Sequence, residues 1–258
     1  MNASLAFACI AVAVLITSFI SGILGMAGGM ILMGVLLALL PLSSAMMLHG
    51  ITQMASNGWR AWLWRSNVDW RVFRGYALGA MLALAAFVAV QIVVSKPVAY
   101  ILLGSTPFVS LVLPRRLALN VDHRGQPLFC GVVCTALQLL AGVSGPLLDV
   151  FFVRSALNRR GVVATKAMSQ TLGHFIKIIY FGGIGTIGAI SSSATGGLSL
   201  PLVATCVVLA FSGTSLSKRM LEKMSDASFR LWTQWTVLTM GLIYLASGLW
   251  MLTGPGRP

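Results

Sequence analysis

ILGMAGGMILMG, residues 23–34, is apolar enough for a membrane interior yet places Gly25, Gly28 and Gly29 at its centre. Glycine inside a helix costs about 0.5–1 kcal/mol relative to alanine, so a helix running through this stretch carries a weak point. Two readings account for it. Small residues three or four apart let helices approach closely. Alternatively, the glycines break the segment into two half-helices, whose exposed amides and positive dipole end suit an anion.

The surroundings decide the class. The chain is 57% hydrophobic and 9% charged, with a mean hydropathy of +0.90, far from an ordinary soluble domain. Apolar runs follow one another from residue 3 to residue 252, several near the ~20 residues that cross a bilayer. Backbone groups in lipid must pair internally, so the expected fold is all-α and polytopic, with no soluble domain. The first run lacks a basic flank and leads straight into another apolar run, so it reads as a retained helix, not a signal peptide. Cys9, Cys130, Cys134 and Cys206 show no metal or disulfide spacing and read as small buried residues. No metal or cofactor motif is present in the sequence, and a Walker-type GxxxxGK[ST] is also lacking.

The net charge of +13 would suggest nucleic acid in a soluble protein. Here its placement matters more than its sum. Thirteen of the 18 Lys and Arg fall in four short segments: Arg65, Arg71 and Arg74; Arg115, Arg116 and Arg124; Arg154, Arg159 and Arg160; Lys218, Arg219, Lys223 and Arg230. The positive-inside rule puts all four in the cytoplasm, and Trp59, Trp62, Trp64 and Trp70 beside them read as interfacial anchors. The charge therefore points to the lipid bilayer as a partner and not to nucleic acid, while the small anion is expected from the half-helix ends.

At a shift of 117 residues, the distance from Gly25 to Gly142, GMAGGM lies over GVSGPL and no gap is needed further on. Gly28 then meets Gly145, Thr52 meets Ser169, Gln53 meets Gln170, Asn57 meets His174 and Arg60 meets Lys177. A break that recurs at the same place, with Pro146 suited to the first turn of a new helix, favours the half-helix reading over simple packing. The basic loops require residues 44–64 to run inward and 161–181 to run outward. The halves, 1–113 and 127–258 around a cytoplasmic loop 114–126, are therefore inverted, with both chain ends outside. Inverted repeats place a substrate site where the halves meet and rock one half against the other. Charge leaves open whether each broken segment dips in and returns or crosses twice.

SGILGMAGGMILMGVLL, LLAGVSGPLLDVFF and ATKAMSQTLGHFIKIIYFGG together resemble the TauE/SafE family of sulfite exporters across essentially the whole chain. The family's glycine cluster is usually fuller; here Ala27 and Met30 interrupt the first copy and Ser144 and Pro146 the second. The resemblance implies export of a small oxyanion or organosulfur anion, such as sulfite or a sulfonate, across a bacterial inner membrane.

The candidate binding residues are Gly25, Gly28, Gly29, Gln53, Asn57 and Arg60 in the first half, with Gly142, Ser144, Gly145, Gln170, His174 and Lys177 in the second. Gln53, Asn57 and Arg60 share one helix face, and Gln170, His174 and Lys177 repeat the spacing. Glutamine amides can donate two N–H bonds to an oxyanion. Arg60 and Lys177 either balance substrate charge or, for Arg60 beside WLW, snorkel to the inner interface. His174 and Asp149 are the candidates for a coupled proton, Asp149 having as its alternative an ion pair with Arg154 or Lys166. His49 and Lys166 read as interfacial. Residues 182–199 read as an outer lid or a flexible loop. Two other functions compete: a passive anion channel, and a rhomboid-like protease using Ser144 of GVSG with His174 as base.

Overall fold

The computed structural model describes residues 3–24, 27–112, 119–183, 198–223 and 226–253. Gly25, Arg115, Arg116, Arg257 and most of the 182–199 connection lie outside them, as do the side chains of Lys218, Arg219, Lys223 and Arg230. The described residues form ten α-helices and no strand: α1 (Ala3–Leu24), α2 (Ala27–Leu39), α3 (Leu42–Leu63), α4 (Trp70–Val90), α5 (Lys96–Val112), α6 (Gln126–Ala141), α7 (Gly145–Phe152), α8 (Arg159–Gly182), α9 (Leu200–Lys223) and α10 (Asp226–Thr253).

Local chemistry sets several of these boundaries. Asp69 caps α4 by accepting from Val72 N, and Asn158 caps α8 by accepting from Gly161 N. Gly142 ends α6 in the left-handed region, at φ 80°, with its N–H on Gln138 O, a stop that glycine makes without strain. Pro146 then sits at the start of α7, where its missing N–H leaves nothing unpaired.

Both leading segments turn back on themselves. Gly28 of α2 lies against the backbone of Thr17 and Ser21 on α1. Phe151 O, near the end of α7, accepts from Val121 N just before α6. The breaks therefore make two helical hairpins, α1–α2 and α6–α7. The first arm of α1–α2 is a full 22 residues, longer than the half-helix expected.

Five helices in the first half correspond in order to five in the second. α1 packs on α9 as α6 packs on α4, α3 packs on α9 as α8 packs on α4, α3 packs on α8, and α5 packs on α10. The last two pairs join equivalent helices and reveal the symmetry. Gly50 of α3 faces His174 and Ile178 while Gly58 faces Thr171; Gly104 of α5 faces Gly241 and Leu245 while Gly248 faces Pro97 and Ile101. Each pair runs antiparallel, so the halves are inverted. One expectation needs correcting. α3 and α8 start 117 residues apart, but α4 and α9, like α5 and α10, start 130 apart. A gap is needed after α8, where the second half carries the longer connection.

The helices long and apolar enough to span a bilayer, among the described residues, are α1, α4, α9 and α10. They expose Val12, Ile16, Leu78, Leu82, Val208, Leu242 and Trp250, the surface expected toward lipid. Cys9 also lies on the exposed surface, not in the core as expected; Cys130, Cys134 and Cys206 are buried. α3 and α8 carry His49, Gln53, Asn57, His174 and Lys177 buried against one another at the centre, which is why their sequences are too polar to read as spans. At one end the basic segments converge. The Arg65 guanidinium lies 4.5 Å over the Trp62 ring, Arg160 lies 5.6 Å over Trp64, and Arg71 is 3.9 Å from Asp122. These are cation–π and ionic contacts of an interfacial belt.

Candidate functional site

Gly29, on the first turn of α2, brings its backbone under α3. A Cβ there would lie 3.4 Å from Gln53 Oε1, so the absence of a side chain lets the Gln53 amide lie over the α2 backbone. Asn57 Nδ2 donates to Gln53 O at 3.0 Å and to Gln53 Oε1 at 3.4 Å, which holds the amide with its nitrogen turned away. Gln53 Nε2 is buried without a hydrogen-bond partner. His49, one turn before Gln53 on the same face, donates from Nε2 to Gly29 O at 2.8 Å. Its Nδ1 accepts from Lys177 Nζ at 2.7 Å.

The second half supplies the facing wall. Ser144, the residue before α7, donates to Gln138 Oε1 at 2.6 Å, which fixes the amide of Gln138; its Nε2 then donates to His174 Nδ1 at 2.8 Å. An imidazole accepting at Nδ1 carries its hydrogen on Nε2 when neutral. His174 Nε2–H has no partner among the described residues. The rings of His49 and His174 are 5.4 Å apart.

Between these walls lies a narrow cavity lined by Ser21, Gly29, His49, Gln53, Asn57, Gln138, Val143, Ser144, Gln170 and His174. Its clear space holds about one water-sized group. The lining has amides, imidazoles and hydroxyls but no carboxylate. The first turn of α2 and the start of α7 border it through Gly29 and Ser144, so two positive helix ends meet there.

Six of the expected residues thus come together: Gly29, Gln53, Asn57, Ser144, Gln170 and His174. Gly28 packs the α1–α2 hairpin, as the close-approach reading requires. Gly145 opens α7, and Gly142 contributes its carbonyl, not an amide. Arg60 and Lys177 stand outside the lining. Arg60 donates to Ser21 O at 3.1 Å and Lys177 to Gly142 O at 2.9 Å. These carbonyls close the C-terminal ends of α1 and α6; at α1 the Arg60 cation offsets the negative dipole end and contributes about 0.3–2 kcal/mol. His49, expected at an interface, is instead 1% exposed and lines the cavity. Ser21 and Gln138 were not anticipated, although the shift of 117 superposes them.

Asp149 forms its ion pair with Lys166, both partly exposed, outside the cavity. Asp149→Asn should lower stability by about 1 kcal/mol, between an exposed and a buried pair, and leave transport within about twofold. Thermal unfolding and vesicle flux of the same preparation check both. Ser144 donates its hydrogen bond to Gln138 Oε1 and His174 faces the Gln138 amide nitrogen, so the nucleophile–base hydrogen bond of a serine protease is not made.

Inverted helices, paired hairpins and a polar cavity between them define a multi-pass membrane transporter. Residues 9–244 match the profile described as sulfite exporter TauE/SafE, nearly the whole chain, and the protein belongs to that family. No curated protein and no solved structure matches it.

Proposed function

We propose that the protein is a secondary carrier exporting a small oxyanion, sulfite or a short sulfonate, across a bacterial inner membrane, with its basic face in the cytoplasm and both ends outside. One observation carries this reading. Gln53 Nε2 is buried in a 3% exposed side chain with both N–H groups unused, beside a cavity free of acid. An unpaired buried donor costs about 1–3 kcal/mol. Two oxygens of an anion bridging Gln53 and His174 would repay that, with Gln170 and Asn57 completing the shell. The confined lining suits sulfite better than a long organic anion, and without a Walker motif the chain does not itself hydrolyse ATP by that route.

The packing also bears on the motion. Each half's first and fourth helices pack on the other half, so the halves are interlocked and cannot rock as rigid bodies without breaking α1–α9, α4–α6 and α3–α8. Displacement of the shorter arms alone, α2 opening one side and α7 the other, breaks none of these three pairings.

The test is flux of radiolabelled sulfite and short sulfonates in proteoliposomes holding the purified chain. A carrier gives saturable flux that unlabelled anion on the opposite side accelerates. Flux that rises linearly with concentration would replace the carrier with a channel, and no flux of any of these anions would withdraw the substrate class.

A further inference from the structure

Behind the cavity wall lies a second polar centre that anion binding alone does not use. Lys177 is 0% exposed, and its Nζ has two acceptors, Gly142 O at 2.9 Å and His49 Nδ1 at 2.7 Å. A carbonyl only accepts, so His49 Nε2 must carry the hydrogen bonded to Gly29 O, which leaves Nδ1 of the neutral ring free to accept. The hydrogens can then be counted. A neutral amine has two N–H groups and fills both acceptors. An ammonium has three, and the third finds no acceptor among the described residues.

The charges around the pair point the same way. On α3 the titratable groups are His49 and Arg60, the latter held by Ser21 O. On α8 they are His174, Tyr180, whose hydroxyl donates to Ile92 O, Lys166, paired with Asp149 of α7, and Arg159 and Arg160 in its exposed first turn. α4 contributes Tyr76, α6 Cys130 and Cys134, and α9 Cys206, all buried; Arg71 and Arg74 are exposed near the start of α4, and Arg65 lies at the basic face. Among the described residues no carboxylate is paired with Lys177. A buried cation without a counter-charge is costly in a membrane protein. An anion in the cavity, on the other side of the His49 ring, supplies the missing charge.

We propose that Lys177 and His49 form the coupling-proton site: one proton is taken up along the Nζ···Nδ1 axis when the anion occupies the cavity, and released when the anion leaves. Only an N–H bond forms and breaks, the proton coming from water on the loading side and returning to water on the other. The pair is empty of charge when the cavity is empty, so anion and proton travel together. This rests on the anion reading above and assigns the coupled proton to residues different from Asp149 and His174; with acid outside such coupling by itself favours entry, so net export runs on the outward gradient of the anion.

The experiment uses the full chain in proteoliposomes with radiolabelled sulfite, measuring two quantities in the same vesicles. Exchange of label against unlabelled sulfite without a pH gradient tests the anion site. Accumulation driven by one pH unit, acid outside, tests the proton site and is expected to reach about tenfold for one proton per monovalent anion. Lys177→Met and His49→Gln should each lose the accumulation, with residual exchange reporting folded protein, whereas Asp149→Asn keeps it. Wild-type exchange without accumulation, or accumulation surviving in both Lys177→Met and His49→Gln as passage of bisulfite alone would give, overturns the proton site and leaves the anion site standing. Absence of wild-type exchange overturns both.

Discussion

Replacing Gly131 with leucine is expected to leave no folded transporter in the membrane. A Cβ on Gly131 would run into the Tyr76 carbonyl and lie 3.0 Å from Ala80 N, and one on Gly79 would lie 2.9 Å from Val132 N and meet the Leu128 carbonyl. The two helices touch backbone to backbone, α4 through Gly79 and α6 through Gly131, so no side chain can swing aside. Helix association in lipid depends on such close packing because it gains no hydrophobic drive. Forcing α6 away would also disturb Gln138, two turns along. The loss should exceed about 4 kcal/mol, read as failure to recover monodisperse protein in detergent. Gly58→Ala, whose Cβ meets Thr171 Cγ2 at 3.6 Å, an ordinary separation, is the tolerated control. Normal recovery of Gly131→Leu would mean that α4 and α6 do not cross where described.

Gln53→Leu should have the opposite signature, with transport impaired and stability unharmed. The substitution removes two N–H donors that have no partner in the protein. A hydrogen bond to a charged group contributes about 1.5–3 kcal/mol, so the half-saturation concentration for the anion should rise about 10- to 150-fold. The empty protein loses little, because an unsatisfied amide gives way to an apolar group of similar size, although Asn57 gives up the longer of its two bonds to residue 53. The melting temperature is expected to hold or rise. A lowered melting temperature with unchanged half-saturation would place Gln53 in the packing and remove it from the site.

Much of this architecture is legible in the chain because the membrane imposes simple rules. The apolar runs of α1, α4, α9 and α10 read as spans, the recurrence of GxxG marked both hairpin tips, and the clustered arginines gave the inverted orientation that antiparallel α3–α8 packing bears out. The misreadings have physical causes. His49 looked interfacial because it stands near the start of a helix, yet α3 packs against α8 from that point and buries it. Lys177 reads as a substrate ligand in any linear view; the left-handed turn at Gly142 and the His49 ring put a carbonyl and an imidazole nitrogen on its Nζ, contacts that no linear view contains. Gln138 lay in an apolar run where nothing nearby pointed to it, and its role depends on His174, 36 residues away.

The inverted pairing of equivalent helices has a consequence for energy as well as shape. Were the two halves chemically identical, the form open to one side would be the other form turned over, and the two would be equally populated at rest. Whatever preference the protein has must come from positions where the copies differ: Gln138 in place of Ser21, Ser144 in place of Ala27, Lys177 in place of Arg60. In this structure the α6–α7 hairpin is tied by Ser144 to Gln138, Gln138 to His174 and Lys177 to Gly142. The polarity of the molecule is thus written in a few unlike side chains laid over a scaffold that has none of its own.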